Sequence, residues 1–77
     1  MEIPAGLDLV YSFLVVADEL NFRRSAERLH VDQSALSRRI QQLEQTLGFR
    51  LLERTPREVR LTAAGRRFYK DNLALLN

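Results

Sequence analysis

The chain has 77 residues, 45% of them hydrophobic, with no cysteine, one histidine and a net charge of +2. That is one small domain of ordinary globular composition, able to bury about 60% of its unfolded surface. Disulfides and thiolate metal sites are excluded, a lone histidine builds no metal site, no cofactor motif is present, and no apolar run approaches the roughly 20 residues that span a bilayer.

Residues 1–6 lack the basic and apolar regions of a signal peptide, so a soluble, cytoplasmic protein is expected. They read as a loose tail, because Pro4 and Gly6 discourage regular structure. Apolar residues then recur at Leu7, Val10, Phe13, Leu14, Ala17 and Leu20, a helical spacing that predicts a core helix over residues 7–20. Asn21 is a good N-cap for a second helix over residues 22–29, with Phe22, Ala26 and Leu29 facing inward. Ala26 is small where two helices of a helix-turn-helix must approach closely. His30, Val31 and Asp32 form the turn, Val31 plugging the core and Asp32 capping the next helix, whose positive dipole end suits a carboxylate. His30 has no second ligand or paired carboxylate and reads as a turn residue.

The third helix covers residues 33–47. At roughly 100° per residue, Leu36, Ile40, Leu43 and Leu47 fall in one stripe. Ser34, Arg38, Gln41 and Gln45 fall nearly opposite, with Ser37 at their flank. A core face and a solvated face would explain that pattern equally well by themselves, so the surroundings decide. Gly48 ends the helix as a left-handed residue, and Phe49 is expected to fold back on the helix end. Leu51 and Leu52 start a short strand, and Val59, Arg60 and Leu61 form a second. Residues 53–58 between them suit a tight hairpin loop with Pro56 near its tip. Thr62 caps a fourth helix running to residue 77, along which Phe68, Tyr69, Leu73 and Leu76 recur. No breaker ends that helix, so the chain is expected to be a piece of a longer protein. The fold class is therefore mainly α: a winged helix-turn-helix with a three-helix core and a two-stranded wing over residues 1–61, followed by a long linker helix over residues 62–77.

Charge is segregated. All twelve basic residues lie between Arg23 and Lys70, eleven of them arginine, while the first 22 residues hold four acids and no base. Arginine grips phosphate and guanine with a two-pronged fork that lysine lacks, which favours a polyanionic partner. Phe13, Phe22, Phe49 and Phe68 recur at core spacing rather than on a basic face, which argues against stacking on single strands. Catalysis has no foothold: there is no Ser–His pair at recognisable spacing, no glycine-rich phosphate loop and no carboxylate cluster, so an enzyme is not expected.

These residues also carry a family resemblance. Asn21-Phe22-Arg23-Arg24-Ser25-Ala26-Glu27-Arg28-Leu29 resembles the second helix of LysR-type transcriptional regulators, and Gln33-Ser34-Ala35-Leu36-Ser37-Arg38-Arg39-Ile40 resembles their recognition helix. Leu43-Glu44, Leu47-Gly48, Leu51-Leu52 and Arg54 follow at the family's spacing, and Val59-Arg60-Leu61-Thr62-Ala63-Ala64-Gly65 matches the wing exit and linker start. The resemblance implies a DNA-binding winged helix-turn-helix, a linker helix that pairs two subunits, and a larger effector domain, absent here, that senses a small-molecule co-inducer. Four positions depart from the family: Ser34 stands where proline is frequent, Arg23 where a small polar residue is common, Asp8 where a base is frequent, and Pro56 in a wing that often has glycine.

Helical wheel and resemblance together put Gln33, Ser34, Ser37 and Arg38 on a groove-facing surface. Arg38 suits guanine O6 and N7, Gln33 adenine or a phosphate, and the short Ser34 and Ser37 a phosphate or the thymine side. Arg23, Arg24 and Arg39 flank that surface and should meet phosphates. In the wing, Arg54 and Arg57 are candidates for backbone or minor-groove contact, with bracing of the wing as the alternative for Arg54. The competing readings are a surface ion pair for Arg38, a solvated hydroxyl for Ser34 and plain surface charge for Arg24 or Arg28. Phe68, Tyr69, Leu73 and Leu76 are the candidate dimer contacts; packing against a second copy and against the first helix of the same domain are both expected, with different residues facing each way. A two-fold dimer would read a pseudo-palindromic double-stranded site, with no membrane partner. The rival function is a helical protein-interaction module that uses the fourth helix.

Overall fold

The computed structural model describes the backbone of residues 5–76 and the side chains of residues 8–74. In chain order the elements are α1 (Ala5–Glu19), α2 (Phe22–Leu29), α3 (Gln33–Leu47), β1 (Leu52–Arg54), β2 (Val59–Leu61), α4 (Ala63–Asn72) and a terminal 3-10 turn (Leu73–Leu76). This is the mainly α winged helix-turn-helix that the spacing predicts.

α1 is the hub. Its residues 12–17 are all buried, so the apolar surface is wider than the predicted stripe and takes in Val15 and Val16. The reason is that α2, α3, α4 and the 3-10 turn all pack on this one helix. Ser12 tolerates complete burial because its hydroxyl donates to the Asp8 carbonyl at 2.9 Å. Both ends of the helix differ from expectation. Ala5 and Gly6, read as tail, belong to the first turn, where the glycine costs about 1 kcal/mol of helix propensity and no more. Leu20, read as the last core residue, lies outside the helix, left-handed at φ 50° and 46% exposed. Its N–H still bonds the Val16 carbonyl at 2.7 Å, so it closes α1 while its side chain swings outward.

Asn21 caps α2 as expected, its side-chain oxygen accepting the Arg24 N–H at 2.9 Å. α2 ends at His30, also left-handed at φ 58°, with the His30 N–H on the Glu27 carbonyl and the Val31 N–H on the Ala26 carbonyl. This double closure satisfies the last carbonyls of α2 and turns the chain into α3 within three residues. Asp32 departs from expectation. It has extended N-cap backbone geometry, but its carboxylate makes no capping hydrogen bond. Only its charge near the positive end of α3 remains to act.

Leu36, Ile40 and Leu43 are the buried face of α3. Gly48 closes the helix at φ 83°. Phe49 is not a core residue as its spacing suggested: it is 43% exposed, whereas Leu51 and Leu52 are buried. The wing pairs Leu52 with Leu61, Glu53 with Arg60 and Arg54 with Val59 in antiparallel register. Its loop is thus residues 55–58, shorter than the expected 53–58. Thr55 closes it, its N–H donating to the Glu58 carbonyl and its hydroxyl oxygen accepting the Glu58 and Arg57 N–H groups. No residue of this loop has positive φ, so the turn needs no glycine and accommodates Pro56.

Thr62 caps α4 by accepting the Gly65 N–H at 2.9 Å. α4 does not run regularly to the end. Asn72 turns its side-chain amide back onto the Phe68 carbonyl at 2.9 Å, the Leu73 N–H bonds Lys70 three residues back, and the last turn tightens to 3-10. Phe68 meets Phe13 of α1 edge-on, with centroids 5.6 Å apart. Phe68 and Tyr69 both pack against the domain's own core, whereas Leu73 is 38% exposed. The side chain of Leu76 lies outside the described residues.

Candidate nucleic-acid interface

Burial of Leu36, Ile40 and Leu43 fixes the rotation of α3 and leaves Gln33, Ser34, Arg38, Gln41 and Gln45 exposed, with Ser37 half-buried at the edge of that face. The start of α2, the middle of α3 and the wing converge at Arg54. Its guanidinium carbon sits 3.7 Å from the centre of the Phe22 ring, and it donates a hydrogen bond to the Ser37 hydroxyl at 3.1 Å. Arg23 and Arg24 follow Phe22 in α2, and Arg38 follows Ser37 in α3; all three are exposed.

The six arginines expected at this face fall into two sets. Among the described residues, the guanidinium groups of Arg23, Arg24, Arg38 and Arg57 hold no hydrogen bond and no ion pair, and all four residues are exposed. Arg39 and Arg54 are engaged within the domain. Arg39 reaches back to α1, donating to the Ser12 hydroxyl at 3.2 Å and lying 3.7 Å from the Asp8 carboxylate. This explains how an acid sits at position 8: it is the counter-charge of Arg39. Arg54 is held by the Ser37 hydroxyl and the Phe22 ring. Arg28 is likewise spent, bridging Asp18 at 2.6 Å and Glu19 at 3.0 Å and tying α2 to the end of α1. Those hydrogen bonds, Asp18 first and then Glu19, push its already high pKa further up. Its charge is therefore constant at any working pH and gives no pH-linked stability.

Sequence reasoning missed what positions the wing. Glu44, on α3, accepts the Leu51 N–H at 2.7 Å and the Leu52 N–H at 3.2 Å through one carboxylate oxygen. Arg50 lies 3.6 Å from the same oxygen. On the other side Thr62 donates its hydroxyl to the Arg50 carbonyl at 2.7 Å and its N–H to the Leu51 carbonyl at 3.0 Å. The strand entry is thus fixed to α3 and to the start of α4 at once. The one available signal was a carboxylate four residues before the Gly48 break, a position from which it can reach the emerging chain.

The model of the LysR family of bacterial regulatory helix-turn-helix proteins matches residues 7–66. The chain belongs to this family. A curated LysR-type relative, the uncharacterized HTH-type transcriptional regulator YnfL of Escherichia coli, is 52% identical over 65 residues, covering 84% of this chain and 22% of its own. The Hca operon transcriptional activator HcaR of Escherichia coli is 52% identical over 64 residues, covering 83% of this chain and 22% of its own. The chain thus spans about a fifth of the length of the curated relatives it matches. Among solved structures, the BenM DBD/catB site 1 DNA complex superposes with a TM-score of 0.85 at 41% identity, over 99% of this chain and 80% of that one. The CbnR DBD–DNA complex gives 0.85 at 41% identity, over 99% and 83%. No helix of this LysR-type domain, among the described residues, is long and apolar enough to cross a membrane.

Proposed function

We propose that this domain binds double-stranded DNA in a sequence-specific manner as the reading head of a bacterial LysR-type transcription regulator, with α3 in the major groove and residues 54–58 of the wing near the minor groove. The observation that carries the reading is the outer face of α3, whose rotation is fixed by its core stripe and whose Arg38 is exposed and, among the described residues, without a partner. Exposed guanidinium groups at Arg23, Arg24 and Arg57, unpaired among the described residues, add to it. Further support comes from BenM and CbnR, whose similar domains are solved on DNA. In this reading Arg38 takes guanine, Gln33, Ser34 and Ser37 complete the base-facing set, Arg23 and Arg24 take phosphates, and Arg57 takes the wing contact. Arg39 and Arg54 hold the reading elements in place rather than touching DNA.

The full protein is proposed to act in the cytoplasm as a homodimer through its linker helix, reading pseudo-palindromic half-sites about 34 Å apart. Since Phe68 and Tyr69 pack inward, the dimer contact in this part of the chain falls to the surface around Leu73. Co-inducer binding belongs to an effector domain outside these residues, and the domain itself is proposed to carry no catalysis.

Replacing Arg38 by alanine is expected to cost about 1–3 kcal/mol on a specific site and much less on random duplex. Fluorescence anisotropy on both duplexes checks this. Equal losses on the two would reduce Arg38 to a phosphate contact.

A further inference from the structure

Four serine and threonine hydroxyls bear on the helices' interior turns, and one behaves differently. Ser12, Ser25 and Thr46 each donate to the carbonyl four residues back, at 2.9, 2.7 and 2.9 Å. Ser37, also inside a helix, makes no such bond; its only hydrogen bond among the described residues is the one it receives from Arg54. A guanidinium only donates, so the Ser37 oxygen is the acceptor there and its single proton stays unspent. Arg54 is itself fixed, by β1 on one side and by the Phe22 ring on the other. Phe22 is 7% exposed and packed in the core.

We infer that Arg54 is a specificity-positioning residue: by filling one of the two lone pairs of the Ser37 oxygen and repelling its proton, it biases that hydroxyl toward donating on the reading face, matched to an acceptor edge in the major groove. This deepens the DNA-binding reading and rests on it. The acceptors within reach of such a donor are purine N7, guanine O6 and thymine O4, while the amino groups of cytosine and adenine offer none. A free serine hydroxyl can rotate to donate or accept and so discriminates little between these edges. The wing, through Arg54, would thereby influence base choice at a position that the wing itself does not touch.

The test is selection of duplexes from a randomised pool by the wild-type domain, Ser37→Ala, Arg54→Met and the double variant, with base preference read position by position. Methionine keeps an unbranched chain over Phe22 and removes the donor. Thermal melting of each variant establishes that it is folded, and Arg54→Gln, which keeps an N–H donor without the charge, serves as the second variant. The expected result is that one position of each half-site loses its preference about 3- to 10-fold, the range of a single hydrogen bond. That loss should appear equally in Ser37→Ala, Arg54→Met and the double variant, with partial recovery in Arg54→Gln. A preference pattern in Arg54→Met equal to wild type, with affinity lowered uniformly, would overturn the inference and leave DNA binding intact. A wild-type domain that selects no sequence would overturn both.

Discussion

Replacing Gly65 by alanine is expected to destabilise the domain by about 2–3 kcal/mol, against the helix propensity of the residues involved. Gly65 is the third residue of α4, where alanine would gain about 1 kcal/mol over glycine in an isolated helix. The structure reverses that sign. A Cβ at position 65 would collide with the Leu51 carbonyl oxygen and lie 3.0 Å from its carbon. The obstruction is backbone, already anchored by the Thr62 N–H and by Glu44 through the Leu51 N–H, so no side chain can rotate away to relieve it. Either α4 moves off the wing or the strand entry leaves α3, and both open a core in which Leu51 is fully buried. For a domain of this size the melting temperature should fall by roughly 10–20 °C. An alanine variant melting at or above the wild type would show that α4 and the wing slide freely past each other.

Replacing Glu44 by alanine is expected to cost about 2–3 kcal/mol, because two N–H groups of buried residues lose a charged acceptor that water cannot readily replace. Glutamine keeps a neutral acceptor and should cost about 1 kcal/mol. Urea unfolding measures both, and a loss in alanine no larger than in glutamine would mean that the strand entry finds another partner. Glu44→Ala should also weaken DNA binding while leaving the preferences at the positions assigned to Arg38 and Gln33 unchanged, and should weaken the preference at the Ser37 position because the strand that carries Arg54 is loosened.

Local chemistry was legible in the sequence, and long-range chemistry was not. The Asn21 and Thr62 caps, the Gly48 terminator and the inward stripe of α3 depend on neighbours within one helical turn, and each is present. Leu20 was opaque because it adopts left-handed backbone without being glycine, whereas His30, also left-handed, is the turn residue its place in the sequence suggests. Asp32 has the residue type of a cap but not its bond. Phe49 has the chemistry of a core residue, yet the route of the chain from Gly48 to β1 leaves it outside. At the reading face, residue type identified the arginines, but tertiary partners sorted them. Arg39 turns to Asp8 and Ser12, twenty-seven or more residues earlier, and Arg54 to Ser37 and Phe22, whereas the guanidinium groups of Arg23, Arg24, Arg38 and Arg57 hold no partner among the described residues. Glu44 reads as one more polar residue on α3 until the strand it holds is placed beside it.

The most direct test of the DNA-binding claim is a fluorescence-anisotropy titration of this domain on duplex from upstream of its own gene, against scrambled duplex, at 50 and 200 mM salt. Tighter binding to the upstream duplex is predicted, with affinity falling about 40-fold across that range if three phosphate contacts per domain are released. No binding to either duplex at the lower salt would contradict the account and favour a helical interaction module built on α4.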